Sequence, residues 1–160
     1  MEWPAEFYAW RAGDGCPSCA EGRPDENGGG VRFFAGEVAD AYLVRADIQR
    51  GLSFVVFRGR HVAEPTELTG DEAAAYGREV LAVGRAIEAA FAPVKLNYDV
   101  LGNSVPHLHT HIVPRYADDP RPGWPFPFPD PDPGPMPDER LRAHVAALRH
   151  ALAGGGGGPE

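Results

Sequence analysis

Three of the six histidines occupy alternate positions, His107, His109 and His111. Strand side chains alternate between faces, so an extended segment here sets all three imidazoles on one face and Leu108, Thr110 and Ile112 on the other. Such a strand offers one wall to a core and the other to a site. Imidazole titrates near pH ~6.5, which leaves an unprotonated ring nitrogen available at neutral pH. Two chemistries use that nitrogen. As ligands, two neighbouring histidines of an H-x-H pair can hold zinc. The whole row cannot meet one ion, because on a strand rising about 3.3 Å per residue its ends lie about 13 Å apart, against Zn–N bonds of about 2 Å. As a nucleophile, one imidazole can attack phosphorus while its neighbours orient it and donate hydrogen bonds to the non-bridging oxygens. Just ahead of the row, Gly102, Asn103 and Ser104 form a small polar turn whose backbone N–H groups and hydroxyl can cradle phosphate oxygens. Neither a P-loop nor a G-x-G-x-x-G follows any strand candidate, so the other common phosphate-binding devices find no support.

The elements that must position these residues can be read from periodicity. Residues 31–45 give two short β-branched and aromatic runs about a turn at residues 37–40, as in a hairpin, and residues 53–58 are a third strand candidate. Thr69 followed by Glu72 spells a capping box, after which Tyr76, Val80, Val83, Ile87 and Phe91 recur at helical steps until Pro93 stops the run. Residues 95–100 return to strand composition, and residues 107–113 complete an expected five-stranded antiparallel sheet. A last helix fits residues 138–152, with Asp138 as N-cap and Leu141, Val145, Leu148 and Leu152 as its stripe. His144 and His150 fall on that helix's polar side and read as solvated. The order implies an α+β fold with one long helix on the sheet and a second, C-terminal helix.

Composition bounds the rest. With 160 residues the chain is expected to form a single domain over residues 1–153. Within it lie a core at about 14–116, a proline-rich arm at 117–137 and the last helix, and residues 154–160, GGGGGPE, read as a disordered tail. Nine prolines crowd the stretch from Pro120 to Pro137, which also carries Trp124, Phe126 and Phe128. Fifteen Lys and Arg against 23 Asp and Glu leave a net charge of −8, which argues against a general electrostatic grip on nucleic acid or anionic membrane. No apolar run approaches a membrane span, and the acidic, aromatic N-terminus lacks the pattern of a secretory signal, so a cytoplasmic location is expected. The two cysteines, Cys16 and Cys19, have a C-x-x-C spacing that suits a metal or redox role in a reducing compartment. A thioredoxin-like role requires a strand before the pair and a helix running on from it, whereas residues 21–30 lack helical pattern. Two free structural thiols are the remaining alternative.

Residues 97–115, NYDVLGNSVPHLHTHIVPR, resemble the signature of the histidine-triad (HIT) family of nucleotide hydrolases and transferases, and the resemblance extends from about Cys16 to about Tyr116. It implies a homodimer that binds a purine nucleotide and cleaves at its α-phosphate without a catalytic cofactor. In that frame His109 is the nucleophile that forms a nucleotidyl-histidine intermediate. His107 would orient it, and His111 would contact the scissile phosphate and leaving group. Asn97, Gly102 and Ser104 match the family's phosphate-side positions, with Asn103 between the last two. The transferase branch typically carries glutamine where this chain has His111, so the resemblance favours hydrolysis. The substrates that the resemblance implies are dinucleoside polyphosphates or nucleoside phosphoramidates.

Many bacterial members also pair an N-terminal C-x-x-C with a mid-chain histidine and the first triad histidine. By that likeness Cys16, Cys19, His61 and His107 form a closed, structural zinc site, distinct from the chemistry. The chain departs from the family at the ribose position, where an acidic residue or asparagine is common and Arg45 stands here, with Asp47 two residues on. Phe33, Phe34 and Val44 are candidates for a base pocket, and Trp124 is a candidate to approach the nucleotide. Two other classes remain open at this point: a nucleotide-binding regulatory protein with incidental hydrolysis, and a metal-dependent hydrolase with His107 and His109 as ligands.

Overall fold

The computed structural model describes residues 2–155. Two short helices, α1 (Ala5–Arg11) and α2 (Pro17–Glu21), precede a hairpin of β1 (Gly30–Ala35) and β2 (Ala39–Val44), then β3 (Ser53–Phe57). A 3₁₀ turn at Pro65–Glu67 leads into the long helix α3 (Gly70–Phe91), followed by β4 (Lys95–Asp99), β5 (His109–Arg115) and the C-terminal helix α4 (Asp138–Gly154). The five strands form one antiparallel sheet in the order β1-β2-β3-β5-β4, which makes β4 an edge.

Helix α3 begins where the sequence places it. The Thr69 side chain accepts from the Glu72 N–H at 3.2 Å while the Glu72 carboxylate accepts from the Thr69 N–H at 2.8 Å, so two otherwise orphaned donors are satisfied. The helix ends at Ala92, which takes a left-handed conformation with φ 48° just before Pro93. Tyr76, Val83 and Ile87 of the expected stripe are buried, joined by Ala75 and Ala86, whereas Val80 and Phe91 are half-buried at its edge. Helix α4 packs beside α3 and over β1, burying Leu141, Val145 and Leu148. Pro137, not Asp138, is its N-cap, since Asp138 is already the first helical residue. The helix runs on to Gly154, two residues past its expected end, and residues 156–160 of the expected tail lie outside the described residues.

The two helices cover one face of the sheet. Val55 and Phe57 of β3, Ala41 and Leu43 of β2 and Ile112 of β5 point into this layer. The Tyr76 hydroxyl crosses it to reach the Val55 carbonyl at 3.0 Å and the Thr110 hydroxyl at 2.9 Å, which ties α3 to both inner strands. Phe33 sits in the same core at a bulge between Arg32 and Phe34, and Phe34 packs against it, so these two rings serve the fold and not a base pocket.

The opposite face is covered by two irregular segments. The N-terminal segment is fixed there by Asp40, a fully buried carboxylate that accepts from Arg23, Arg32 and Arg58. The proline-rich segment leaves β5 and ends alongside the far end of β2, where Ala46 bridges Pro135 and the Met136 N–H donates to the Arg45 carbonyl at 2.7 Å. The middle of this face, between the two segments, holds the histidines of β5.

Candidate functional site

His109 and His111 lie on the uncovered face of β5 with ring centroids 5.0 Å apart and nearly perpendicular planes. Their cross-strand partners on β3 are Val56 and Phe54. His107 differs from the expectation that one strand carries all three. It precedes β5, because Leu108 pairs its N–H with the Val62 carbonyl and its carbonyl with the Phe57 N–H, outside the ladder that starts at His109. Its ring is buried 5.4 Å from that of His61 and belongs to a second group of side chains.

Within the first group, a single hydrogen bond assigns the roles of the His109 nitrogens. Nδ1 lies 2.7 Å from the His107 carbonyl oxygen, which only accepts, so Nδ1 carries the proton and Nε2 keeps its lone pair. His111 lies beside two apolar rings, Phe54 at 6.4 Å and Phe128 at 6.2 Å. Burial pushes its pKa down to about 4, and the neighbouring His109 adds to the effect. At neutral pH it is therefore an uncharged hydrogen-bond donor, and its Nδ1 is buried without a protein partner.

The remaining expected site residues lie on the neighbouring strand and in the turn ahead of His107. Asn97 lies on β4 opposite Val113, on the same face as His109 and His111. Its side-chain oxygen accepts from Arg115 at 2.6 Å, which leaves its amide NH₂ to donate. Gly102, Asn103 and Ser104 form the turn that leads towards His107; Gly102 has φ +66°, which favours glycine there, and Asn103 and Ser104 are exposed.

Arg115, buried at the end of β5, is a fastening that the sequence did not mark. It pairs with Asp119, donates to the carbonyls of Trp124 at 2.9 Å and Arg121 at 3.0 Å, and lies over the Phe126 ring. Trp124 is thereby held beside a cavity of about 630 Å³ along the β4 edge, with Asn97 and Tyr98, and it is Phe128 that lies beside His111. Arg45 and Asp47 do not face the site with free charges. Arg45 pairs with Glu26 at 3.1 Å, and Asp47 pairs with Arg140. His144, expected to be solvated, is half-buried against Phe91 with ring centroids 5.1 Å apart, in the seam between α3 and α4.

The second group is Cys16, Cys19, His61 and His107, whose candidate ligand atoms all lie within 4.8 Å of one another. Cys16 caps α2 and Cys19 lies within it, so a five-residue helix sets both thiols. His107 Nδ1 is 3.5 Å from each sulfur, and His61 Nδ1 is 3.4 Å from that of Cys19. A tetrahedral ion with Zn–S of about 2.3 Å and Zn–N of about 2.0–2.1 Å spaces its N and S ligands about 3.5 Å apart, so the residues fit zinc. Their outer contacts fit as well. His107 Nε2–H donates to the Phe57 carbonyl at 2.7 Å and His61 Nε2–H to the Arg11 carbonyl at 3.2 Å, which fixes both tautomers with Nδ1 free to ligate. Burial and the adjacent Cys16 thiol push the Cys19 pKa up to about 11, so the Cys19 thiol stays protonated in the absence of a cation. Both His107 nitrogens are engaged in this group, which leaves neither for an ion shared with His109.

The sequence matches the family described as the HIT domain over residues 43–118. By that match residues 43–118 carry a HIT domain. Among curated relatives, the protein named "Protein hit" of Bacillus subtilis is 33% identical over 92 residues, 54% of this chain and 63% of that protein, so the match spans less than two thirds of the relative's length. A histidine triad protein from Marinobacter aquaeolei shares the fold with a TM-score of 0.68 and 24% identity, over 79% of this chain and 90% of that one. A zinc-bound histidine triad family protein from Mycobacterium smegmatis has a TM-score of 0.61 and 23% identity, over 88% of this chain and 94% of that one. His107, His109 and His111 all fall within the matched stretch of a HIT-like fold, with the ring of the first turned towards the cysteine pair.

Proposed function

We propose that this HIT protein hydrolyses nucleotidyl phosphoanhydride or phosphoramidate bonds through a nucleotidyl-histidine intermediate on His109. The observation that carries this reading is the 2.7 Å bond from His109 Nδ1–H to the His107 carbonyl, which leaves Nε2 as an oriented nucleophile. Nε2 attacks the α-phosphorus, a P–N bond forms, and the bond to the leaving group breaks with its electron pair on the departing atom. A phosphate leaving group departs as a stable anion, whereas a phosphoramidate nitrogen takes a proton from solvent at the open face. The positive charge that develops on His109 is stabilised at Nδ1–H by the same carbonyl. Water then attacks phosphorus, the P–N bond breaks, and a nucleoside monophosphate leaves.

Neutral His111, the Asn97 amide and the turn at Gly102, Asn103 and Ser104 supply donors for the non-bridging oxygens, where charge redistributes during transfer. The proposed substrates are purine nucleotides joined to a second nucleotide or to an amine. Zinc at Cys16, Cys19, His61 and His107 would hold the N-terminal segment against the site; when bound it supplies fold stability and no open coordination position. The reaction needs no catalytic cofactor in this reading. The metal-dependent alternative loses support because both His107 nitrogens point elsewhere.

A homodimer is favoured by β4. This edge strand reads Lys-Leu-Asn-Tyr-Asp, so antiparallel pairing with a second copy about Asn97 sets Lys95 against the partner's Asp99. Val94, Tyr98, Val100 and Leu101, all exposed, line the same edge. Sedimentation should give twice the chain mass, and a Tyr98→Lys variant should give the monomer; a wild-type monomer at micromolar concentration removes this part. Among the described residues no helix is long and apolar enough to cross a membrane. The acidic charge disfavours nucleic acid as a partner, and the paired thiols suit the cytoplasm.

The intermediate is tested by mass spectrometry of protein mixed briefly with adenosine 5′-phosphoramidate or diadenosine tetraphosphate and quenched without acid. Wild type should carry a nucleotidyl adduct on His109, and His109→Ala should carry none. Turnover in that variant equal to wild type would remove His109 as the nucleophile.

A further inference from the structure

Phe128 is held in place on a strap that cannot easily let it go. Pro125, Pro127 and Pro129 alternate with Phe126 and Phe128, and proline fixes its own φ and restricts the residue before it. The strap is fastened at one end by Arg115, through the Arg121 and Trp124 carbonyls. At the other end Asp47 N–H donates to the Gly134 carbonyl at 2.8 Å and Met136 is buried. Within it the Phe128 N–H donates to the Phe126 carbonyl at 3.1 Å, and the two rings meet edge to face at 5.1 Å. The ring of Phe128 is therefore fixed before any ligand arrives, yet it remains 42% exposed. A large apolar side chain kept in water by a rigid support gains by covering its free surface.

Its neighbours say what could cover it. Two successive ring contacts lead from the proposed nucleophile to this residue, His109 to His111 at 5.0 Å and His111 to Phe128 at 6.2 Å. Phe54 also lies beside His111, at 6.4 Å, and is itself stacked on Tyr42 at 5.3 Å. The sheet on this side of the histidines is uncharged, with Phe54 and half-buried Val44. On the side of Val56 lies instead the ionic group of Asp40, Arg23, Arg32 and Arg58. A ligand whose phosphate reaches His109 thus has one apolar, aromatic flank on which to lay a flat ring.

We infer that Phe128 determines specificity by stacking on the purine base of a nucleoside 5′-phosphate whose phosphate lies at His109 and His111. The assignment rests on the nucleotidyl reading given above. It places base recognition on the proline-rich strap and not on Phe33 or Phe34, which the core absorbs, nor on Trp124, which faces the β4 edge.

The test compares equilibrium binding of AMP and of ribose 5-phosphate, which keeps the phosphate and sugar and lacks the base. Phe128→Ala should weaken AMP by about 5- to 20-fold, the usual range for loss of one base–aromatic stack, and leave ribose 5-phosphate unchanged. Phe128→Trp should restore AMP binding, and Tyr8→Ala, an exposed ring on α1, should change neither ligand. Equal AMP affinity in wild type and Phe128→Ala overturns the assignment. So does an equal loss for both ligands, which would mean that Phe128 only shapes His111. Wild type that binds neither ligand overturns the nucleotidyl reading, and this assignment with it, whereas the first two outcomes leave that reading standing.

Discussion

Two groups of histidines meet at His107, and they are built on opposite plans. In the group with the cysteines, each imidazole has its Nε2–H on a backbone carbonyl and its Nδ1 directed at sulfur, so no nitrogen is left over. In the group on β5, His109 uses only Nδ1 and His111 leaves Nδ1 without a partner. Residue type is the same in both. The second hydrogen bond decides whether an imidazole becomes a closed ligand or an open nucleophile. The backbone of His107 belongs to one group and its side chain to the other: the carbonyl orients His109 while the ring faces Cys16 and Cys19. In the proposed reaction this division gives the cysteine and histidine cluster a role in placing His109 without a role in bond breaking.

The sharpest way to break the comparison is to remove the open nitrogen. His109→Ala should lower turnover of a nucleotidyl substrate by about 10⁴-fold or more, because residues acting as a unit fail together when the nucleophile is lost. Its melting temperature should stay within a few degrees of wild type, since a half-buried ring with one backbone bond contributes little to the core. A large loss of stability with residual turnover would mean that His109 belongs to the closed plan.

Opening the closed group should have the reverse signature. Protein purified without chelator should hold about one zinc per chain, and Cys16→Ser with Cys19→Ser should lose it. The melting temperature should then fall by about 10 °C, the size expected when several kcal/mol of metal binding are lost from a domain of this length. Below that transition, turnover should remain within a few-fold of wild type. If turnover disappears while the fold is intact, the metal acts on chemistry and the division between the groups fails.

Much of this arrangement was legible in local patterns. The capping box at Thr69 and Glu72, the stripe of Tyr76, Val83 and Ile87 and the alternation of the strands each depend on neighbours close in sequence, and each element formed where those signals put it. The five-stranded antiparallel sheet followed from them. The limits lay in contacts between distant residues. A period of two places His107 beside His109, but the strand begins only at His109, because His107 and Leu108 are taken up by β3 and Val62. The helices α1 and α2 gave no stripe, since neither has a buried residue, and they depend on the cluster they frame. Phe128 and Trp124 sit four residues apart in a proline-rich run, and nothing local distinguishes them. Arg115 does so, by fixing the carbonyls of Arg121 and Trp124 and so setting where the strap turns. His144 was misplaced for a related reason: on α4 alone it lies off the apolar stripe, but Phe91 of α3 covers it.

The finest test concerns two nitrogens that, among the described residues, are buried with no protein partner, His111 Nδ1 and His144 Nδ1. Both rings have their pKa lowered, chiefly by burial, with His111 at about 4. In the unfolded chain both titrate near ~6.5, so as pH falls below that value the unfolded state takes up protons that the folded state refuses, and stability drops. For His111 this loss runs from about pH 6.5 down to about 4. Between pH 7 and pH 5, His111→Asn and His144→Leu should each lose less melting temperature than wild type. At pH 7 they should part. His144→Leu replaces an unsatisfied polar atom in a helix seam by an apolar one and should gain about 1–3 °C. His111→Asn should show no such gain and should lose turnover, because its unpartnered nitrogen lies in a site shaped for a ligand. If His111→Asn instead behaves like His144→Leu in both measurements, the orphaned nitrogen of His111 is a packing fault like its counterpart, and the open plan of β5 narrows to His109 alone.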